Sequence, residues 1–243
     1  MEENFFKRAD IPLPPTPKTS SNVIPLEECG EKLVPTSLYP SKILVRSWYH
    51  NEGLKGSLPE CFVREGIYEK LLAVTRYLPE DWHLVIWDGW RRPELQKSLF
   101  NVLAGRIRAA NPELSEEEIK RRATVFVAWP STEPQSVSGH CTGSAVDLTI
   151  ADDRGHYLEM GSGFDEPTER SYTYHYEKME RPEGAALEAR NNRRILLSLM
   201  SEMGFSNYPN EWWHFDYGNR RWAQRTGASK AIYGYTEPSF RWQ

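Results

Sequence analysis

A ten-residue segment near the middle of the chain constrains the fold and chemistry of this protein more than any other feature. Residues 138–147 read SGHCTGSAVD and fit the pattern SxHxxGxAxD, and a mostly apolar run continues to Ile150. A strand from Ser144 to Ile150 places Asp147 on one face of a rigid element. The imidazole of His140 and the carboxylate of Asp147 are both ligands that suit zinc. The segment therefore predicts part of a metal site.

A second segment supplies the rest of the site. Residues 211–215 read EWWHF, and His214 is the candidate for a third ligand. Three protein ligands leave one coordination position open for water, which is typical of a catalytic zinc site. Glu211 is then the candidate general base. On a regular strand Glu211 and His214 would face opposite sides, so we expect Glu211 in the loop just before the strand.

A third segment, DGWRRP at residues 88–93, begins at the end of a short apolar run at residues 82–88 that predicts a buried strand. An arginine at this position can offer its planar guanidinium to an oxyanion or to a substrate carboxylate. Both Arg91 and Arg92 fit that description. A surface salt bridge is the alternative for either residue, so this segment alone leaves the choice open.

Periodicity in the remainder of the chain predicts helices around these segments. Apolar residues recur at helical spacing over residues 67–78, from Pro93 to Asn111, and near 184–203. Another helix is predicted after Ser115, which has a glutamate three residues on, as in a capping box.

Composition limits the classes of partner. The chain has 30 Lys and Arg against 34 Asp and Glu, a formal charge of −4, and lacks the basic stripe that nucleic-acid binding requires. The N-terminal sequence lacks the layout of a secretory signal, and no apolar run is long enough to cross a bilayer. We therefore expect a cytoplasmic protein with neither nucleic-acid nor membrane partners. The widely spaced Cys29, Cys61 and Cys141 are expected to be free thiols, and nothing in the sequence sets an oligomeric state.

Taken together, these segments resemble the VanX-type D-alanyl-D-alanine dipeptidases, zinc peptidases related to D-alanyl-D-alanine carboxypeptidases and to the fold of hedgehog signalling domains. The resemblance rests on SGHCTGSAVD, EWWHF, DGWR and MGSGFDEPTERS at residues 160–171, all in the family's order. It spans roughly residues 40–217.

The resemblance implies a role for each candidate residue. The implied roles are one zinc ion bound by His140, Asp147 and His214, catalytic acid and base chemistry by Glu211, transition-state stabilisation by Arg91, and substrate contacts by Ser138 and Asp165. Arg91 is preferred to Arg92 because its spacing from Asp88 is the family's. Asp165 is a sensible partner for the ammonium of a dipeptide, with a turn-capping aspartate as the alternative. Cys141 lies beside a ligand and is an alternative ligand itself.

The expected architecture is a single α+β domain, with a mainly antiparallel sheet flanked by helices and the zinc site in a central cleft. Residues 1–40 are expected to form a proline-rich arm, residues 41–217 the zinc peptidase domain, and residues 218–243 an aromatic extension packed on it. By resemblance the reaction is hydrolysis of D-Ala-D-Ala, a small cell-wall dipeptide. The alternatives are a carboxypeptidase or other hydrolase of small cell-wall peptides, a non-catalytic zinc-stabilised binding module, and a metal-free globular protein.

Overall fold

The computed structural model describes residues 24–133 and 136–239, and its centre is a five-stranded sheet. The strands of the described residues are β1 (Leu33–Pro35), β2 (Ile43–Val45), β3 (Phe62–Arg64), β4 (His83–Asp88), β5 (Ala145–Ala151), β6 (Ser206–Tyr208) and β7 (Glu211–Asp216). The α-helices are α1 (Trp48–Asn51), α2 (Glu65–Thr75), α3 (Pro93–Ala110), α4 (Glu116–Thr124), α5 (Gly184–Glu202) and α6 (Arg220–Thr226).

The order of strands in the central sheet is β2-β4-β5-β7-β6, and β1 pairs separately with β3. In the central sheet only β2 and β4 run parallel, while the three other neighbouring pairs are antiparallel. Every residue of β5 is buried, as expected for a middle strand covered on both faces. The predicted α+β class with a mainly antiparallel sheet is confirmed.

The predicted helices are present, and their ends follow local chemistry. Pro93 is the first residue of α3, where its missing N–H leaves no bond unmade. The Ser115 hydroxyl accepts a hydrogen bond from the Glu118 N–H at the start of α4, which satisfies one exposed donor of the first turn. The Glu118 carboxylate pairs with Arg121 and Arg122 on the exposed side of the helix.

The register of the three middle strands brings polar residues into one row. Asp88 of β4 lies opposite Asp147 of β5, and Asp147 lies opposite His214 of β7. Directly opposed residues on antiparallel strands have their Cβ atoms about 5 Å apart. The sheet itself therefore brings together side chains that are 59 and 67 residues apart in sequence (147−88 and 214−147).

The described part of the N-terminal arm lies against the C-terminal tail. Leu26 forms an isolated parallel bridge with Ala231. The buried Arg64 guanidinium donates hydrogen bonds to the carbonyl oxygens of Glu31 and Gly234, joining arm and tail to the domain. Residues 1–23 of the predicted arm, and the last residues of the predicted extension, lie outside the described ranges. Across the residues described, no helix combines the length and apolarity needed to span a bilayer.

Candidate metal centre and site cavity

Three predicted ligands form one tight, buried cluster. His140, Asp147 and His214 each place a ligand atom within 4.8 Å of the others. His140 Nε2 lies 3.2 Å from His214 Nδ1 and 3.3 Å from Asp147 Oδ2, and Asp147 Oδ1 lies 3.0 Å from His214 Nδ1. Ligand atoms about 2.1 Å from a tetrahedral zinc ion are separated by about 3.4 Å. The cluster therefore has the spacing of a three-ligand zinc site.

The other ring nitrogen of each histidine has its own acceptor. His140 Nδ1 donates to the Gly89 carbonyl oxygen at 2.8 Å, which leaves Nε2 free to bind a metal. His214 Nε2 lies 3.1 Å from Asp216 Oδ2, which leaves Nδ1 facing the cluster. Such outer hydrogen bonds fix the tautomer and ring orientation of metal-binding histidines. The residues present thus fit a zinc ion chemically as well as in spacing.

Asp216 is a neighbour of the ligand cluster that was not predicted from the sequence. Its side chain is fully buried, and its carboxylate also accepts hydrogen bonds from Arg225 Nη1 at 2.6 Å and from Asn219 Nδ2 at 2.7 Å. Burial acts to raise the pKa of Asp216, but the charges of His214 and Arg225 outweigh burial and hold it well below its ordinary value. Asp216 is therefore an ionised acceptor behind His214. The signal was present in the sequence, because residues two apart on a strand share a face.

Two glycines of the central motif are needed for close approach. A Cβ on Gly139 would lie 2.4 Å from Asp216 Oδ1, so the residue before the first ligand must be glycine for β7 to come this near. Gly143 has φ of +70°, and a Cβ there would lie 2.4 Å from a Leu33 methyl group. Gly143 makes the turn between the two ligands of this motif, and the turn leads directly into β5.

The predicted position of Glu211 in a loop is wrong, because Glu211 is the first residue of β7. Consecutive residues of β6, Asn207 and Tyr208, pair with Phe215 and Glu211 of β7, so residues 212–214 form a bulge beside β6. The Asn207 amide donates to the carbonyl oxygens of Glu211 at 3.0 Å and of His214 at 2.9 Å. This bulge changes the normal alternation of side chains. Glu211 and His214 consequently line the same cavity.

The environment of Glu211 suits a group that exchanges protons. Its Oε2 lies 3.8 Å from His214 Nδ1, at the edge of the cluster. Burial raises the pKa of Glu211 to about 8; Asp147 and Asp165 act in the same direction, and His214 opposes them. A carboxylate whose pKa lies near neutrality can both accept and return a proton.

Arg91, rather than Arg92, faces this cavity. Arg91 is buried and donates to Asp88 Oδ2 from Nε at 2.9 Å and from Nη2 at 2.6 Å. Its Nη1 donates to Gln96 Oε1 at 2.9 Å, and its Nη2 lies 3.8 Å from Asp147 Oδ2. Burial opposes the charge, but Asp88 and its other neighbours raise the pKa of Arg91, so the guanidinium remains charged beside the cluster.

Gln96 is a second residue that the sequence reasoning missed. It lies on α3 at 1% exposure, accepts from Arg91, and donates from Nε2 to the Ala128 carbonyl oxygen at 2.7 Å. Gln96 therefore connects Arg91 to residues 124–128, which line the cavity. The predicted substrate contact Ser138 is buried nearby and accepts a hydrogen bond from the Cys141 N–H at 3.3 Å. Cys141 is buried and is not a member of the ligand cluster.

Asp165 lies at the same cavity in a strained backbone conformation. Its φ of +56° makes it the one non-glycine residue with positive φ in the described chain. The Tyr49 hydroxyl donates to Asp165 Oδ2 at 2.7 Å. Desolvation of the carboxyl by the surrounding side chains raises the pKa of Asp165 to about 6, against the lowering effect of that hydrogen bond. Backbone strain at a carboxylate that lines a cavity is a feature of functional sites, which favours a binding role over a turn cap.

These side chains line one cavity of about 390 Å³, which we call the site cavity. It contains the ligand cluster, Glu211, Arg91, Ser138 and Asp165. Besides Arg91, the lining contains two arginines of α6, Arg221 and Arg225. All seven predicted site residues thus line one cavity.

The chain is similar to a protein family and to several known proteins. A family model described as D-ala-D-ala dipeptidase, Peptidase_M15, matches residues 57–230. A D-alanyl-D-alanine dipeptidase of Synechocystis sp. is 29% identical over 86% of this chain and 90% of its own length. One of Escherichia coli is 42% identical over 39% of this chain and 48% of its own length. A solved structure described as VanYB in complex with D-alanine-D-alanine is 20% identical, with a TM-score of 0.42, over 69% of this chain and 79% of that chain.

Proposed function

The chain belongs to the D-Ala-D-Ala dipeptidase family of peptidases, Peptidase_M15, and on this premise we propose that it is a zinc-dependent dipeptidase that hydrolyses D-Ala-D-Ala. One observation carries the proposal: the ligand cluster lines the same cavity as Glu211 and Arg91. The cluster consists of His140, Asp147 and His214. Two relatives are described as D-alanyl-D-alanine dipeptidases. The Synechocystis protein matches 86% of this chain, and the Escherichia coli protein matches 39% of it.

The ligand roles of His140, Asp147 and His214 are part of this proposal. Both histidines are held in the tautomer that presents a lone pair to the cluster, and Asp147 adds a hard oxygen ligand. When bound there, zinc supplies a Lewis acid that activates water and polarises the scissile carbonyl. Every other requirement of the reaction falls to the side chains of the site cavity.

Glu211 is proposed as the group that moves the proton. Its carboxylate lies at the edge of the ligand cluster, where it can take the proton of the attacking water and pass it to the departing amine. Arg91 is proposed to stabilise the oxyanion that develops on the scissile carbonyl. Asp88 and Gln96 hold the Arg91 guanidinium in place before substrate arrives, so little rearrangement is needed during the reaction.

The substrate's charged ends have complementary partners in the cavity. We propose that Asp165 and the Tyr49 hydroxyl bind the dipeptide ammonium, because a carboxylate at the cavity wall is a natural charged partner for a cation. Ser138 is proposed to contact the substrate beside Arg91. Arg221 gives the cavity a cation to match the substrate carboxylate. A zwitterionic dipeptide therefore suits a site that contains both charges.

A cytoplasmic location is also part of the proposal. The three cysteines are all free in the structure, two of them buried, and unpaired thiols are typical of reducing compartments. The proposed partner is a small dipeptide, with no role for nucleic acid or membrane.

The experiment that tests the proposal is alanine release from D-Ala-D-Ala, L-Ala-L-Ala and N-acetyl-D-Ala-D-Ala by the zinc-loaded protein, with a chelated control. Release from free D-Ala-D-Ala alone, abolished by chelation, is expected. Cleavage of the acetylated peptide would instead assign a carboxypeptidase, and no release from any of them would favour the non-catalytic module. Zinc content is measured in parallel, because His214→Ala should lose metal, and unchanged zinc content would refute the ligand assignment.

Glu211→Gln tests the proposed base separately. Glutamine keeps the size of the side chain but cannot accept a proton, so zinc should remain bound while turnover falls by about 10²–10⁴-fold. Substantial remaining turnover would remove Glu211 as the base. The zinc content of the variant shows whether the site itself is intact.

A further inference from the structure

A second and larger cavity adjoins the site cavity. Its volume is about 770 Å³, and we call it the apolar chamber. It shares Tyr49, Asp165, Glu211 and residues 125–127 with the site cavity. Its other walls are mostly apolar, with side chains that include Trp48, Leu54, Leu99, Leu103, Phe164 and Trp213.

Two alanine side chains do not account for this space. The site cavity, at about 390 Å³, already falls within the ~300–1,000 Å³ of ordinary small-molecule sites. A dipeptide with two methyl side chains therefore fits without the chamber. Transfer of an apolar group from water into a concave surface lined by apolar side chains is favourable. The chamber therefore has the chemistry of a binding site for an apolar group.

Covalent geometry shows which part of a dipeptide lies nearest the chamber. The ammonium and the attacked carbonyl belong to the same amino-terminal residue, and its side chain branches from the carbon between them. Asp165, the proposed partner of the ammonium, and Glu211, the proposed base at the carbonyl, both lie on the border of the chamber. The side chain of the carboxyl-terminal residue lies beyond the scissile bond.

We propose that the apolar chamber binds the side chain of the amino-terminal residue, so that this enzyme cleaves dipeptides whose first residue is large and apolar. This inference rests on the proposed dipeptidase function and extends it to a class of substrates. The chamber is a specificity site, and its walls are distinct from the zinc ligands.

The charge of Asp165 argues against a longer peptide as the occupant. An acylated substrate has a neutral amide where the free dipeptide has an ammonium. The Asp165 carboxylate faces both cavities and accepts a hydrogen bond from the Tyr49 hydroxyl. A neutral amide bound over it would shut out water and leave its charge without a cation. A free amine with a large side chain satisfies the carboxylate and the apolar walls together.

The test compares substrates that differ only in where the large group lies. D-Leu-D-Ala and D-Phe-D-Ala place it at the amino-terminal residue, while D-Ala-D-Leu and D-Ala-D-Phe are the matched controls. Burial of one methylene is equivalent to roughly a fourfold gain in binding, and leucine has three more carbons than alanine, so even partial burial should raise kcat/KM for D-Leu-D-Ala at least about tenfold above that for D-Ala-D-Ala. The two control peptides should show no such gain.

A variant pair locates the effect in the chamber. Val102 of α3 lines the chamber and is 45% exposed, so Val102→Trp can fill space there without disturbing the core. Asn101, the preceding residue on the same helix, is exposed outside the chamber, and Asn101→Trp is the matched control. Val102→Trp should reduce the preference for D-Leu-D-Ala over D-Ala-D-Ala by about tenfold, and Asn101→Trp should leave this ratio as it is in the parent protein.

Equilibrium binding provides a readout that does not depend on turnover. The zinc-loaded Glu211→Gln protein is titrated with each dipeptide, and the fluorescence of the chamber tryptophans or the heat of binding gives Kd. Tighter binding of D-Leu-D-Ala than of D-Ala-D-Ala, lost in the double variant with Val102→Trp, supports the chamber assignment.

The outcomes separate this inference from the function on which it rests. Cleavage of D-Ala-D-Ala together with weaker binding and slower cleavage of D-Leu-D-Ala would overturn the inference and leave the dipeptidase function intact. Preference for N-acetyl-D-Ala-D-Ala over the free dipeptides would assign the chamber to an acyl extension and also overturn it. If no dipeptide is cleaved, the proposed function fails, and the order of Kd values still decides what the chamber binds.

Discussion

Asp216 Oδ2 lies 3.1 Å from His214 Nε2, on the side of the imidazole opposite the ligand cluster. This hydrogen bond keeps the proton on Nε2 and directs the lone pair of Nδ1 toward Asp147 and His140. We expect Asp216→Ala to weaken zinc binding by about 10–100-fold, measured by competition with a chelator. Asp216→Asn retains an acceptor oxygen and should recover part of the affinity.

A control variant separates the effect of Asp216 on the orientation of His214 from its effect on the stability of the protein. Asp216→Ala also leaves Arg225 without its carboxylate partner, so the variant is expected to unfold at a lower temperature. Arg225→Gln removes the same ion pair but leaves the contact between Asp216 and His214. If Arg225→Gln lowered zinc affinity as much as Asp216→Ala, the hydrogen bond to His214 would not be the cause.

Asn207 is expected to control the position of Glu211. Its amide holds the β7 bulge through the carbonyl oxygens of Glu211 and His214, and Asn207→Asp removes those donors while keeping the shape of the side chain. Displacement of a reacting group by about 1 Å can reduce the rate by about 10²-fold. We therefore expect kcat to fall by about that factor, while zinc affinity changes less because β5 still pairs with His214.

Thr173→Val is the matched control for Asn207. The Thr173 hydroxyl donates to Asn207 Oδ1 at 2.6 Å, so this variant removes one contact on the far side of the amide and leaves both bonds to β7. A loss of kcat as large in Thr173→Val as in Asn207→Asp would contradict the assignment of the bulge contacts as the important ones.

The adjacent arginines provide a test by identical substitutions. Arg91→Lys retains a positive charge but cannot contact Asp88 and Gln96 together as the guanidinium does. Loss of one donor to a developing oxyanion costs about 10²–10³-fold in kcat, and we expect a loss of that order. Arg92→Lys, one residue away, should remain within about twofold of the parent protein. The reverse result would make Arg92 the functional arginine.

Residues within short motifs were predictable from the sequence because a ligand set requires particular side chains at fixed local spacing. His140 and Asp147 are seven residues apart, and the turn at Gly143 and the strand after it could both be inferred from that segment. The choice of His214 needed a second motif, and the register of β5 against β7 then placed it opposite Asp147.

Residues that act through contacts between distant segments were not predictable in the same way. Tyr49 bonds to Asp165 across 116 residues of sequence, and no local pattern indicates that pairing. In the sequence, Gln96 resembles an ordinary surface residue of a helix. Only the packing of α3 beside Arg91 shows that its side chain bonds to the guanidinium. The expected loop position of Glu211 was wrong because the sequence allows side-chain directions to be judged only for a regular strand. The bulge in β7 depends on contacts with Asn207 of β6, which no local pattern shows.

Substrate binding should depend on pH through Asp165. Desolvation by the surrounding side chains raises the pKa of its carboxyl to about 6, so the ionised fraction falls as pH drops through that value, and the ammonium loses its charged partner. For a pKa of about 6, the ionised fraction falls roughly tenfold between pH 7 and pH 5, and Kd for D-Ala-D-Ala should rise by about the same factor. The measurement uses zinc-saturated Glu211→Gln protein, in which the proposed base no longer titrates. Adding Asp165→Asn should give weak binding that is constant from pH 5 to pH 7. A pH-independent Kd in the Glu211→Gln protein, or an unchanged dependence after Asp165→Asn, would show that the ammonium is held elsewhere.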